Sequence, residues 1–377
     1  MSPRKIGAIV RKEYLHLIRD PQSLILAFII PLSLILLFGY ALSLDVNNVE
    51  TAVVDYDRTN MSRDLIRHLG ASPYFHIRGT LRDAREIADL LDHGEAALGV
   101  VIPAGFASDL KSDREAPVQV ILDGSDPNFS NTVRGYVTMF MSGYNQKLLL
   151  DFLDRKGLEK VRQPVEGRIR VWFNEDLESR KFIIPGLIAV IIMIAGAMLT
   201  SLVIAREYEN GTMETLKSLP VTALDLIVGK SVPYYFIALA NVLLSVLLGG
   251  LLFGVVMKAG FWMMILSSSL YIFVALALGL LISAVTKSQL LANQGAILIT
   301  YLPSLMLSDF VFPITNMPGV LQLITYLVPA RYYIEILSGI YLKNLGFQAL
   351  WQDFAVLTLM FVLLAALTVR LLRKEGL

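Results

Sequence analysis

Six apolar blocks, at residues 24–44, 182–205, 233–256, 261–285, 290–312 and 353–372, set the limits on what this chain can fold into. Each is about as long as the roughly 20 residues that a helix needs to cross a hydrocarbon core. A 377-residue chain built this way is expected to be a polytopic α-helical membrane protein with six transmembrane helices. Composition agrees: 55% of residues are hydrophobic and 17% charged, against about 45–50% and 25% in soluble domains. A cytoplasmic globular enzyme is therefore disfavoured. Lys and Arg number 33 against 32 Asp and Glu, a balance that gives nucleic acid nothing to bind by bulk charge. With no cysteine, the chain has neither a disulfide framework nor a thiolate metal site. The first block is too long for the h-region of a cleaved signal peptide, about 7–15 residues, and reads as a retained span.

Ahead of it, residues 1–23 carry Ile6, Ile9, Val10, Tyr14, Leu17 and Ile18 at three- and four-residue spacing. Arg4, Lys5, Arg11, Lys12 and Arg19 fill much of the remainder. That pattern is a basic amphipathic helix lying in the membrane interface; the plainer reading is a basic topology signal. Both place the N-terminus in the cytoplasm. Arg206, Lys217 and Lys230 in the loop 206–232, Lys287 after the fourth span, and Arg370, Arg373 and Lys374 at the end then fall on the cytoplasmic side, as the positive-inside rule requires. The tail 373–377 is cytoplasmic too.

Residues 45–181 contain no block that could span. Strand-like runs at 51–55, 74–77, 98–102, 118–122 and 168–173 alternate with helical stretches at 62–69, 82–91 and 126–156, the pattern of an α/β or α+β domain. One crossing from a cytoplasmic N-terminus puts this domain outside. The segment 313–350, broken by Pro318, Gly319 and Pro329, is expected to form re-entrant or interfacial helices on the outer side, where protein covers their backbone.

Little in the chain suggests covalent chemistry. Gly229-Lys230-Ser231 resembles the end of a phosphate-binding loop, but Leu224 stands where that loop needs its first glycine. His16, His68, His76 and His93 are scattered. No catalytic residue, metal ligand or cofactor is assigned to the chain, which is expected not to be an enzyme. The loop Arg206-Glu-Tyr-Glu-Asn-Gly-Thr-Met-Glu-Thr-Leu-Lys-Ser-Leu-Pro220 is more informative. Gly211 permits a tight turn, Thr212 is a candidate N-cap, Glu214 suits a helix N-terminus, and Pro220 follows the last turn. A short rigid helix here could receive force from a soluble partner; an ordinary solvated loop is the alternative.

The run Arg206-Glu-x-Glu-x-Gly-Thr-Met-Glu-x-Leu216 resembles the signature of type-2 ABC exporter permeases. So do Phe182-Ile-Ile-Pro-Gly186, Tyr301-Leu-Pro-Ser-Leu-Met-Leu-Ser308 and Thr325-Tyr-Leu-Val-Pro-Ala-Arg-Tyr332, and the layout agrees along essentially the whole chain. The subgroup it resembles is the multidrug type, a bacterial inner-membrane subunit with a large periplasmic domain. Asp309 departs from that subgroup, which has a small residue there.

The resemblance implies that residues 211–219 form a coupling helix docking on a separate cytoplasmic ABC ATPase dimer, where ATP and Mg would bind. Glu207, Glu209, Gly211, Thr212, Met213, Glu214 and Leu216 would then form the coupling site. It further implies a second permease, identical or homologous, and a periplasmic membrane-fusion protein. Polar residues within or at the ends of spans, Thr200, Ser201, Asn241, Asn293, Gln294, Ser308 and Asp309, are substrate-path candidates, with bonding between helices or to water as the alternative. The expected function is outward movement of amphipathic or hydrophobic compounds such as drugs. A same-family exporter of lipid or glycan, or a sensor with an external ligand-binding domain, are the rivals.

Overall fold

The structure is a computed structural model that describes residues 3–20, 25–41, 48–112, 114–155, 173 and 179–376. Two compact units emerge: Leu44–Arg170, and Met1–Ser43 together with Val171–Leu377.

The first unit is built on a four-stranded sheet of order β2-β1-β3-β4, with β1 at Val49–Asp55, β2 at Phe75–Leu81, β3 at Leu98–Ile102 and β4 at Gln119–Leu122. β1 runs parallel to β2 and β3, and β4 is antiparallel to β3. All of β3 and nearly all of β1 are buried, which is why β3 reads as an unbroken apolar run and β1 carries Ala52-Val53-Val54. The helix at Asn60–Ala71 and the long one at Pro127–Arg155 cover one face, where Leu69 and Val133 meet Val53 and Val100. The helix at Ala84–Asp92 covers the other with Ile87. A Cβ on Gly99 would lie 2.3 Å from Ile87, so the glycine sets that close approach. The expected elements are present with shifted ends. Two differences stand: a short helix at Phe106–Lys111 was not anticipated, and the strand expected at 168–173 lies outside the described residues except for Phe173.

In the second unit, α1 spans Pro3–Arg19 and α2 spans Ile30–Ala41, the latter led in by a π-helical turn at Ile25–Ile29. The widened turn sits just before Pro31, which has no N–H to give the helix. Then follow α7 (Arg180–Glu209), α8 (Thr212–Ser218), α9 (Ala223–Phe253), α10 (Phe261–Thr286), α11 (Gln289–Met306), α12 (Gly319–Thr325), α13 (Pro329–Ser338) and α14 (Phe347–Lys374). In that count α3, α4, α5 and α6 are the four helices of the first unit, in chain order. Among the described residues four helices, α7, α9, α10 and α14, are long and apolar enough to cross a membrane. The other two expected spans fall on the shorter α2 and α11. α11 ends at Met306 rather than 312, about 27 Å of helix at 1.5 Å per residue. The chain then turns through Asp309, whose φ is +68°. α2 is a 12-residue helix.

α7 is the hub. It is apolar on every side and buried along most of its length, the expected property of a helix surrounded by others. It packs on α10 closely enough that a Cβ at Gly279 would fall 2.4 Å from the Ala197 carbonyl oxygen. Small residues at such crossings let membrane helices pack by contact alone. The 313–350 segment is broken as expected, with α12, α13 and a π-helical turn at Gly339–Lys343. Tyr333 of α13 is buried and stacks on Tyr271 of α10 at 4.1 Å, whereas Val320 and Leu323 of α12 are exposed.

Candidate coupling site

At its C-terminal end α7 reverses into α8 within two residues. Gly211 makes this possible with φ +69°, a backbone region that costs other residues roughly 1–2 kcal/mol. The expected N-cap is corrected here. Gly211 occupies the cap position without a side-chain bond, and Thr212 is the first residue of α8. Its hydroxyl donates instead to the Glu207 carboxylate.

Four consecutive residues at this end of α7 each reach a different part of the unit. Arg206 Nη2 lies 3.3 Å from Asp20 Oδ2, just beyond α1. Tyr208 donates its hydroxyl to Glu375 after α14, a carboxyl that partial burial lifts above its ordinary range. Lys287 pairs with that carboxyl at 2.5 Å and sits 5.0 Å from the Tyr208 ring centre. Glu209 accepts the backbone N–H of Gln289 at 2.8 Å and its side-chain amide at 2.6 Å, capping α11.

Glu207 is the centre of the knot. It is 6% exposed, and its Oε1 takes Lys12 of α1 at 3.0 Å and Lys230 of α9 at 2.8 Å. Lys230 also reaches Glu13 of α1 at 2.6 Å, and Tyr234 donates to the second oxygen of Glu13 at 3.4 Å. Two carboxylates and two ammonium groups thus offset one another, which buried charges require. Glu207, expected at or near a partner surface, is itself buried and faces inward. Lys230, at the end of the incomplete phosphate-loop match, is buried in the first third of α9 with its charge already matched. Gly229 beside it would place a Cβ 2.8 Å from Ile9, so the glycine lets α1 lie against α9. Sequence reasoning missed Glu13. Its signal was position: Ile9, Glu13 and Leu17 fall four apart on one helical face, and an acid within an apolar stripe needs a buried partner. Tyr14 and Ile18, read as part of the same apolar face, are more than half exposed.

α8 itself is anchored by Met213, 1% exposed, and by half-buried Leu216. Glu214 projects outward and, among the described residues, forms an ion pair only with Lys217, at 3.4 Å. The outer surface of α8 is therefore Thr212, Glu214, Thr215 and Ser218, with the apolar Leu219 exposed beside them.

The substrate-path candidates do not converge. Thr200 donates to the Leu276 carbonyl of α10 at 3.1 Å as well as to Gly196, which is bonding between helices. Ser201 bonds back to Met198, and Ser308 to Ser304. Asn241 is buried, Gln294 is exposed, and the buried Oδ1 of Asn293 has no partner among the described residues. Asp309 is exposed and accepts the Ile314 N–H at 2.8 Å, closing the turn after α11. Arg331 donates to the Thr325 hydroxyl and lies 4.2 Å from the Tyr326 ring centre. A cavity of about 430 Å³ is lined by Thr300, Ser304 and Met193 among others, and a second of about 460 Å³ by Tyr235, Phe273 and Phe361 among others. None of the seven candidates lines either. No cluster of three or more potential metal ligands occurs among the described residues.

The family model described as "ABC-2 family transporter protein" matches residues 21–370. The chain is 37% identical over 346 residues to the probable multidrug ABC transporter permease YbhS of Escherichia coli (strain K12), covering 91% of this chain and 90% of that one. It is 30% identical over 350 residues to the probable multidrug ABC transporter permease YbhR of the same strain, covering 93% of each. To the inner membrane transport permease YhhJ it is 26% identical over 332 residues, 87% of this chain and 85% of the relative.

Proposed function

The chain belongs to the ABC-2 transporter family, and on that premise we propose that it is the permease subunit of an ATP-driven exporter moving amphipathic or hydrophobic compounds outward. Family membership implies an ABC ATPase partner. In this reading the chain hydrolyses nothing itself, and ATP and Mg act on that partner. α8 is the coupling helix, its outer surface seated on the ATPase in the cytoplasm. α1 lies along the inner membrane surface with both termini on the same side, and α2 and α11 complete six crossings. The unit at Leu44–Arg170 is then periplasmic, where a membrane-fusion protein would meet it. A second permease, identical or related, completes the pathway.

The observation that carries the proposal is the attachment of α8. One side is locked to the bundle through Met213 and the Thr212–Glu207 bond, while Glu214 and Thr215 are left unburied. A displacement of α8 would pass to α7, and through Glu207 to α1 and α9, with no flexible linker between. The transport route would follow from α7 tilting against its neighbours, since α7 touches most of them.

The test is recovery of the ATPase on the purified permease. Glu214→Arg inverts the charge on the outer surface without touching the buried groups. It should reduce ATPase recovery severalfold while the thermal midpoint of the permease stays unchanged. Undiminished recovery with Glu214→Arg would refute α8 as the docking element.

A further inference from the structure

An arginine-rimmed cleft of about 810 Å³ opens in the Leu44–Arg170 unit at the C-terminal ends of β1 and β2. Arg58, Arg63, Arg67 and Arg82 surround it, and Ile66, Ile77 and Leu81 line its interior. The unit as a whole is slightly acidic, with 16 Lys and Arg against 19 Asp and Glu over residues 44–170, so the basic rim is a local segregation of charge. Carboxyl ends of parallel strands are where open α/β sheets take their ligands.

The rim is built rather than incidental. The helix at Asn60–Ala71 places Arg63, Ile66, Arg67 and Gly70 on one face toward the cleft. Arg63 and Arg67 are four apart, a spacing at which like charges repel. Arg67 is partly compensated by Asp64 at 3.5 Å, but among the described residues Arg58, Arg63 and Arg82 have no ion-pair partner. The acid at the cleft, Asp55, is already engaged: it accepts the N–H groups of Asp57 and Arg58 at 3.0 and 2.9 Å and the Ser62 hydroxyl at 2.7 Å. Those bonds hold Arg58 at φ +54°, a conformation rare for a residue with a side chain and one that tends to persist where function needs it. Asp55 thus fixes an arginine on the rim, and its single charge, with that of Asp64 beside Arg67, offsets only part of the charge of the four arginines.

We propose that this cleft binds an amphipathic anion, a phosphate group carried on a compact apolar body. The arginine forks match phosphate oxygens geometrically, and the isoleucine and leucine side chains accept the apolar part. A phospholipid headgroup region and a free phosphorylated compound share this chemistry.

The experiment uses the full-length permease in nanodiscs of neutral phosphatidylcholine. Binding of dihexanoyl phosphatidic acid and, separately, of inorganic pyrophosphate is measured against empty nanodiscs. Saturable binding of the phosphatidic acid is expected, weakening with added salt and falling about tenfold or more in the Arg63→Gln/Arg82→Gln variant. Both side chains are exposed, so the unit should remain folded, which its thermal midpoint checks. Arg134→Gln, on the helix at Pro127–Arg155, should leave binding unchanged. Phosphatidic acid binding alone assigns the site to lipid-like ligands, and binding of both probes extends it to free phosphates. Binding of neither probe, binding of pyrophosphate alone, or equal loss in the Arg134→Gln control overturns the proposal.

Discussion

Lys230 concentrates the energetics of the knot into one side chain. It lies between two carboxylates at 2.6 and 2.8 Å, both in side chains under 10% exposed. Removing one partner of a buried ion cluster costs about 3–5 kcal/mol, because the remaining charges stay out of water unmatched. Lys230→Met, which leaves buried Glu13 without its cation and Glu207 with Lys12 alone, should therefore lower the thermal midpoint of the purified permease far more than Glu214→Ala, a change in an exposed pair worth less than about 1 kcal/mol. The triple variant Glu13→Gln/Glu207→Gln/Lys230→Met removes the charges together and should recover most of the loss. Equal midpoints for Lys230→Met and Glu214→Ala would remove the knot from the account. The sequence made the acidic run at 207–214 visible, but not which acid faces inward. Glu207 and Glu209 differ only in helical angle, and the partner of Glu207 on α1 is 195 positions away.

Among the elements, close crossings carry the argument. At Gly279 the obstacle to a side chain is the backbone of α7 as well as the Thr200 hydroxyl, at 2.4 and 2.1 Å. Gly279→Ala must push α10 from α7, and overpacking of this kind costs about 1–3 kcal/mol; a fall in thermal midpoint checks it. Gly229→Val should instead lift α1 from α9 and leave the rest standing. Trypsin should then cut at Arg11 and Lys12 several times faster, whereas an unchanged rate would mean that α1 is held by other contacts. In the Leu44–Arg170 unit β3 was legible because Leu98–Ile102 is an apolar run ended by Pro103. The helix at Phe106–Lys111 escaped because six residues offer too little periodicity. The fifth apolar block runs past the end of α11 for a different reason: hydropathy does not register a turn, and apolar Leu307, Phe310, Val311 and Phe312 follow Met306 around Ser308 and Asp309. The capping error at Thr212 has the same origin, since a hydroxyl at the right position cannot reveal that Glu207 claims it.

For the whole molecule, apolar block length gave the membrane class, and the Lys and Arg of the connecting loops gave a sidedness that helical packing alone does not. That sidedness predicts that single cysteines at exposed positions of the Leu44–Arg170 unit, such as Arg85→Cys, react with an impermeant maleimide in intact spheroplasts. The native chain has no cysteine to confuse the readout. Reaction only after membrane lysis would invert the topology. A site for the transported compound was not legible, because polar side chains within spans serve equally to bond helices together, as Thr200 does here. The central claim is that a separate ATPase drives this permease through α8, and site-specific photo-crosslinking in cells tests it most directly. A photoreactive residue at position 214 should yield a covalent conjugate with an ABC ATPase, and one at position 85 should not. A conjugate from position 85 with none from position 214 would contradict the account.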